Sequence, residues 1–254
     1  MVIADEIAGW IGTQVKASGA EGAVFGLSGG MDSAVVAGLC RRALGKNLLG
    51  LIMPCHSLAS DREDAELVAK VFDLPTMVIE LDRTYDALVS VLPPGGEMAR
   101  SNLKPRLRMC VLYYMANEKG YLVVGTGNLS ERMVGYFTKH GDGAADIYPI
   151  GGIYKTEIMD LARELGVPER IIGKPPSAGL WEGQTDEGEM GIGYPDLDSI
   201  LKSLDRGDEG ALHGPLADKV RLMVRSSEHK RCPGPVYEPS ERRGANQGAT
   251  EGWA

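Results

Sequence analysis

The sequence predicts an α/β fold in which a doubly wound parallel sheet is flanked by helices. Four short apolar runs alternate with segments whose apolar residues recur at helical spacing, which is typical of successive strand–helix units. The runs are apolar throughout, as in strands that are buried on both faces of a sheet. A chain of 254 residues, with 43% hydrophobic and 24% charged residues, is long enough to bury the core of one sizeable domain.

The four predicted strands all precede residue 130. A helix whose apolar residues include Ile3 and Val15 comes first, and Pro105 suits the first turn of a later helix. Ser60 and Glu63 have the spacing of a capping box at the start of another helix. The strands are predicted at 23–27, 48–54, 76–81 and 121–126. The helices of this part are predicted at 3–15, 31–44, 60–72, 85–92 and 105–119.

After Pro149 the sequence no longer alternates between predicted strands and helices. A helix is predicted over about 155–165, and two more follow a stretch rich in glycine and proline. Residues 175–192 form a long loop with several acidic side chains, which is typical of an active-site lid. We therefore expect one domain over 1–238 with this lid, and a flexible C-terminal tail over 239–254. The last two helices are predicted near 196–205 and 215–228.

Composition limits the partners and the location. The net charge of −8 at pH 7 argues against a general nucleic-acid-binding protein. The sequence contains no apolar run of membrane-spanning length and no basic-then-apolar leader, so we expect a cytoplasmic protein with no membrane partner. The four cysteines are scattered without CxxC spacing, as in a chain with reduced thiols.

The segment FGLSGGMDS places a glycine turn between the first predicted strand and the following helix. Open parallel sheets bind ligands at this edge, and a glycine turn before a helix presents N–H groups to an oxyanion. The segment is neither a Walker loop nor GxGxxG. Asp32 stands where a Walker loop has its lysine, so we expect this carboxylate to hold Mg²⁺ against phosphate oxygens. A plain helix cap is the alternative. The predicted nucleotide-binding residues are Gly26, Leu27, Ser28, Gly29, Gly30, Met31, Asp32 and Ser33.

The hexapeptide SGGMDS resembles the phosphate loop of the ATP pyrophosphatase family, the adenine nucleotide alpha-hydrolase group. That resemblance implies a Rossmann-like fold of this type and cleavage of ATP to AMP and pyrophosphate. Four further segments resemble ammonia-dependent NAD synthetases, in the same order, so that the resemblance extends over about 3–238. One departure is Pro105, where that family's arginine motif has alanine. The segments are NLKPRLRM, GTGNLSERMVGYFTKHGDGAADIYPIGGIYKTEIMDLAREL, KPPSAGLWEGQTDEGEMGIGY and EHKRCPGP.

The resemblance implies roles for individual residues. Asp32 and Glu131 would hold Mg²⁺, and Asp146 and Lys155 would be catalytic, with Asp146 a hypothetical aid in deprotonating ammonium. The further contacts to ATP would come from Thr126, Lys155 and Ser177. Deamido-NAD would be held by Arg106, Lys139, Asp146, His229 and Lys230. Structural alternatives are a surface acid at Glu131, a strand-end hydroxyl at Thr126, a surface lysine at Lys155, a loop hydroxyl at Ser177 and a helix-capping His229.

The implied reaction is the last step of NAD biosynthesis. The carboxylate of deamido-NAD, the nicotinic acid dinucleotide, attacks the α-phosphate of ATP and expels pyrophosphate. Ammonia then attacks the adenylated intermediate, releasing AMP and NAD. ATP is thus a co-substrate, and Mg²⁺ is the implied cofactor.

The resemblance also bears on nitrogen source and assembly. A glutamine-using synthetase carries an additional amidotransferase domain, and here the synthetase fold begins near residue 22. We therefore expect ammonia as the direct nitrogen source, unless a separate glutaminase partner supplies it. The family implies a homodimer with the dinucleotide bound across the interface. The alternatives are a tRNA-thiolating or GMP-forming pyrophosphatase, or a non-catalytic adenine-nucleotide sensor on the same fold.

Overall fold

Four parallel strands form the central sheet of the computed structural model, which describes residues 3–181, 183–208 and 213–237. They are β1 (Gly22–Gly26), β2 (Leu48–Ile52), β3 (Thr76–Val78) and β4 (Tyr121–Val123). Their order in the sheet is β3-β2-β1-β4, and each neighbouring pair is parallel. The chain therefore runs outward from β1 to β3 and returns to the other side of β1. That reversal creates a crevice at the carboxyl ends of β1 and β4, where open α/β sheets bind ligands.

Helices cover both faces of this sheet, and the predicted fold class is confirmed. The longest of them, α6, contains Pro105 in its first turn, where the missing N–H has no helical acceptor in any case. The helices are α1 (Ile3–Ser18), α2 (Met31–Leu44), α3 (Ala59–Val71), α4 (Asp82–Val91), α5 (Glu97–Ser101), α6 (Leu103–Lys119), α7 (Leu129–Val134), α8 (Lys155–Leu165), α9 (Glu169–Ile172), α10 (Asp186–Met190), α11 (Tyr194–Asp205), α12 (Pro215–Ser226) and α13 (Glu228–Arg231).

Two apolar cores lie on opposite faces of the sheet. Phe25 packs with α1, α2 and α8, whereas the adjacent Val24 packs with Met115 of α6. This division follows from the strand itself, because successive side chains point to opposite faces. A third core joins α7, α11 and α12 to the end of the predicted lid through Met190 and Ile192.

The predicted capping box at Ser60 and Glu63 is wrong. Helix α3 begins at Ala59, two residues too early for that box, and its N-cap residue is Leu58. Glu63 instead lies in the helix, where its carboxylate accepts a hydrogen bond from Arg170.

The structure also bears on the expectations for membrane spans, cysteines and the C-terminal tail. Within the described residues, no helix is long and apolar enough to cross a membrane. The four cysteines are free thiols. The predicted tail, 239–254, lies outside the described residues.

Candidate active site

The glycine turn follows β1 and leads directly into α2. Gly29 has φ of 79°, and a Cβ at this position would lie 2.3 Å from the carbonyl oxygen of Asp61. A side chain is therefore excluded here both by conformation and by space. Ser33 closes the turn, because its Oγ donates to the Gly30 carbonyl at 2.9 Å and accepts from the Ser28 N–H at 3.3 Å. Gly30 is the N-cap residue, and with no side chain to cap the helix it leaves the first N–H groups of α2 suited to an anion.

A buried ion cluster lies next to this turn. The Nζ of Lys155 is 2.8 Å from both carboxylate oxygens of Asp32 and 3.8 Å from Oε1 of Glu131. These three side chains are only 9%, 13% and 17% exposed. Asn128 donates a further hydrogen bond of 2.8 Å to Asp32. Asp32 is thus in the first turn of α2 but does not cap it; its carboxylate binds Lys155 and Asn128 instead.

Local hydrogen bonds fix the cluster in place. Asn128 and Glu131 form a capping box at the start of α7, with bonds of 2.9 and 3.3 Å. Helix α8 begins at Lys155, whose N–H donates to Ser130 Oγ at 2.9 Å. Ser130 in turn donates to Asp198 of α11. The starts of two helices are therefore bonded together, which places Glu131 and Lys155 side by side.

Burial and charge together determine the protonation of this cluster. Burial raises the pKa of Glu131 well above its ordinary value, and the nearby Asp32 raises it further. Burial alone would lower the pKa of Lys155, but Asp32 and Glu131 outweigh it, so the net pKa is raised. Lys155 therefore remains charged, and its single charge faces two carboxylates.

The donor set suits a magnesium ion that is completed by phosphate. Within the described ranges, no group of three or more His, Cys, Asp or Glu side chains could enclose a metal. Mg²⁺ usually binds one or two protein carboxylates and takes its other ligands from water and substrate phosphates. Asp32 and Glu131, beside the glycine turn, match that requirement.

A cavity of about 150 Å³ opens from the ion cluster. Burial raises the pKa of Asp142 in its wall, where the carboxylate accepts a 2.8 Å hydrogen bond from the Thr138 N–H. The residues that line this cavity include Thr126, Glu131, Phe137, Asp142, Tyr148 and Lys230. Sequence reasoning predicted Thr126, Glu131 and Lys230 but missed Phe137, Asp142 and Tyr148.

Four of the predicted dinucleotide-binding residues come together beside this cavity. Arg106 donates to the Lys139 carbonyl at 3.3 Å, and Lys139 Nζ donates to the His229 carbonyl at 2.5 Å. Lys230 Nζ donates to the carbonyls of residues 135 and 137 at 2.7 and 2.9 Å. These side chains supply a local positive region in a protein of net charge −8.

Two predicted site residues lie apart from this group. Asp146 accepts hydrogen bonds from the Val123 N–H at 2.7 Å and the Tyr113 hydroxyl at 3.3 Å, and it lines a second cavity with Trp10. Ser177 is exposed, and its Oγ accepts a 3.1 Å bond from the N–H of residue 179. The functional roles of Asp146 and Ser177 remain predictions.

Comparison with known proteins identifies the family to which this chain belongs. The model of the NAD synthase family matches residues 3–234. The NH(3)-dependent NAD(+) synthetase of Finegoldia magna is 48% identical over 90% of this chain and 92% of its own length. The solved NMN synthetase of Francisella tularensis has a TM-score of 0.85 and 35% identity, covering 94% of this chain and 97% of that one. The NH3-dependent NAD synthetase of Campylobacter jejuni, in complex with nitrate, has a TM-score of 0.81 and 33% identity over 93% and 97%. The chain therefore belongs to the NAD synthase family.

Proposed function

We propose that this protein is an ammonia-dependent NAD synthetase, a ligase that amidates deamido-NAD with ATP as co-substrate. The observation that carries the proposal is the buried cluster of Lys155, Asp32 and Glu131 beside the phosphate-binding turn. A nucleotide sensor needs the turn to bind phosphate, but binding alone does not require two buried carboxylates paired with one lysine. An enzyme that releases pyrophosphate must stabilise the charge that develops on the leaving group, and such a cluster can do so.

The chemistry follows from the poor reactivity of a carboxylate towards amines. Its leaving group would be oxide, so the carboxylate must first be converted to a mixed anhydride with AMP, which gives AMP as the leaving group when ammonia attacks the carbonyl carbon. The phosphate-binding turn would orient ATP with its α-phosphate towards the dinucleotide, and Lys155 would neutralise phosphate charge during adenylation. When bound by Asp32 and Glu131, Mg²⁺ would supply further positive charge to the phosphate oxygens.

The two cavities support a dinucleotide-binding role for the remaining residues. Arg132 and Tyr148 line both cavities, with the guanidinium carbon 4.1 Å from the centre of the ring. A dinucleotide could therefore extend from the positive region past Arg132 towards Asp146. Arg106, Lys139 and Lys230 suit its pyrophosphate, and Asp146 remains our candidate for accepting a proton from ammonium.

We further propose that residues 175–192 form a lid over ATP and that the protein is cytoplasmic. Lys104 of α6 donates a 2.7 Å hydrogen bond to the Leu180 carbonyl, which joins the lid segment to the body of the protein. Ser177 lies in the same segment, where closure could bring its hydroxyl to the nucleotide. The free thiols suit a reducing compartment.

The nitrogen source can be tested with the purified chain. With ATP, Mg²⁺ and deamido-NAD, ammonium should support formation of NAD, AMP and pyrophosphate, whereas glutamine in ammonia-free buffer should not. The physical reason is that an amide nitrogen is a poor nucleophile because its lone pair is delocalised, so glutamine must first be hydrolysed. Turnover with glutamine would contradict ammonia dependence, and formation of ADP would contradict the proposed chemistry.

A second candidate substrate is nicotinic acid mononucleotide. Similarity to the Francisella NMN synthetase favours it, because the same activation chemistry applies to the carboxylate of the smaller nucleotide. Parallel assays with both acids separate the two functions. The proposed function requires the larger kcat/KM for deamido-NAD, and the opposite order would make this chain an NMN-forming enzyme.

We also propose a homodimer with the dinucleotide site at its interface. Several large apolar side chains are exposed on the neighbouring helices α4, α5 and α6, as on a surface that a partner covers. They include Val91 at 77%, Met98 at 60% and Tyr114 at 67% exposure.

Changing Tyr114→Glu should give monomers by light scattering and abolish deamido-NAD binding. Leu222→Glu, at a side chain on α12 that is also 67% exposed, is the control and should change neither. A fully active monomer would contradict the proposal.

A further inference from the structure

A second ion cluster lies behind the phosphate-binding turn. Lys174 Nζ is 2.8 Å from Oδ1 of Asp61 and 2.9 Å from Oδ2 of Asp64. Arg170 Nε lies 2.8 Å from the other carboxylate oxygen of Asp64. The side chain of Asp64 is only 4% exposed. These pairs connect the start of α3 to α9 and to the residue that immediately precedes the lid segment.

The same turn of α3 also supports the phosphate-binding turn. A Cβ at Gly29 would lie 2.3 Å from the Asp61 carbonyl oxygen, 2.9 Å from Asp64 Cβ and 3.1 Å from the Ala65 nitrogen. The backbone of the turn is therefore in direct contact with the residues that bind Lys174. Any displacement of this part of α3 changes both the turn and the anchor of the lid segment.

The lid segment starts at the cluster with little freedom. Lys174 is followed by Pro175 and Pro176, whose rings fix the backbone φ angle. The carbonyl of Pro176 accepts a 3.0 Å hydrogen bond from the N–H of Asp186, which joins the start of the segment to its second half. A change at Lys174 is thus transmitted to the segment as a whole.

The side chain of Lys174, which anchors the lid segment, stays positively charged. Burial alone would lower the pKa of Lys174, but its hydrogen bonds to Asp61 and Asp64 outweigh that effect and raise the pKa overall. A carboxylate as buried as Asp64 needs its cations, because an uncompensated buried charge is strongly destabilising. Separating Lys174 from Asp61 and Asp64 would therefore destabilise the folded protein.

We propose that Asp61, Asp64 and Lys174 are positioning residues that couple the lid segment to the phosphate-binding turn. The inference rests on the proposed roles of that turn and of the lid in binding ATP. Because both elements share the first turns of α3, occupation of the turn by phosphate and ordering of the lid stabilise one another. Loss of the anchor should weaken ATP binding without affecting the more distant dinucleotide residues.

The test compares Lys174→Met with Glu63→Gln and Lys174→Arg. Methionine keeps the length of the side chain but loses its charge. Glu63 lies at the exposed rim of the same cluster, where it binds Arg170, and its substitution should leave activity unchanged. Lys174→Met should raise the KM for ATP by about tenfold, a typical coupling between sites, with the KM for deamido-NAD unchanged. Lys174→Arg, which keeps the positive charge, should have a KM for ATP close to that of the wild type.

Chymotrypsin cleavage after Trp181, with and without Mg-ATP, provides a second readout. ATP should protect the lid of the wild type and of Glu63→Gln, and Lys174→Met should lose this protection. A lower melting temperature with normal ATP KM and normal protection would make the cluster merely structural and overturn the proposal. If Lys174→Met does not fold, Asp64→Asn serves in the same assays. Inactivity of the wild type towards deamido-NAD would instead refute the proposed function.

Discussion

Replacement of Asp32 by asparagine should lower the rate of NAD formation by about 10²-fold or more, the scale for losing an electrostatic contact in a transition state. Asparagine has nearly the same shape and can still bond to Asn128, but it has no charge to hold Mg²⁺ against the leaving pyrophosphate. The structure adds a stability effect, because Asp32 is the closest counter-ion of buried Lys155. Breaking such a pair costs roughly 3 kcal/mol.

A matched control separates the catalytic effect from the loss of stability. Asp160 lies on α8 with its side chain 86% exposed, and its asparagine variant should resemble the wild type in both measurements. Rates are compared per folded molecule, well below the melting temperature of each variant. An Asp32→Asn protein with near-normal turnover would show that this carboxylate has only a structural role.

Replacement of Lys155 by methionine should have a comparably large effect. The variant leaves Asp32 and Glu131 buried without their cation, so the free energy of unfolding should fall by roughly 3–5 kcal/mol. Turnover should fall by about 10²–10³-fold because phosphate charge is no longer neutralised during adenylation. Mg²⁺ should recover part of the lost stability, since an ion that binds only the folded state stabilises it.

Thermal unfolding with and without Mg²⁺ measures this recovery. Lys202→Met is the control, because Lys202 forms a more exposed pair with Glu157 at 2.7 Å, and its loss should cost about 0.5 kcal/mol or less. A melting temperature of Lys155→Met that is independent of Mg²⁺ would contradict the assignment of the two carboxylates as its ligands.

The sheet and the glycine turn after its first strand could be predicted because their signals are local. Each apolar run, like the SGGMDS turn, occupies only a few consecutive residues, and the structure has a strand in each run and a turn that leads from β1 into α2 at SGGMDS. The pair of Asp32 and Lys155 is different, since 123 residues separate the partners. Spacing alone cannot reveal such a contact, so only the family resemblance placed both residues at one site.

Capping boxes illustrate the limit of local patterns. The spacing of Ser60 and Glu63 suggested a box that α3 does not form, because the helix begins at Ala59. The same spacing at Asn128 and Glu131 does form one. The pattern NLSE was a usable signal for Asn128, which sequence reasoning missed. Whether a box forms depends on where packing starts the helix, which the spacing does not specify.

Strand lengths depend on neighbours that the sequence does not show. The apolar run at 76–81 predicts a longer strand than the observed Thr76–Val78. This strand is at the edge of the sheet and pairs only with β2. The fourth strand was likewise predicted to reach 126 but ends at Val123, after which Val124 forms an isolated bridge to Ile147.

The cluster of Asp32, Glu131 and Lys155 should promote adenylation of the dinucleotide. Exchange of labelled pyrophosphate into ATP, with ammonia withheld, tests it most directly, because label returns to ATP only if the carboxylate has been adenylated reversibly. The wild type should catalyse this exchange with deamido-NAD and not without it, and Asp32→Asn should lose exchange in proportion to its loss of NAD formation. Exchange without deamido-NAD, or exchange by Asp32→Asn at the wild-type rate, would contradict the account.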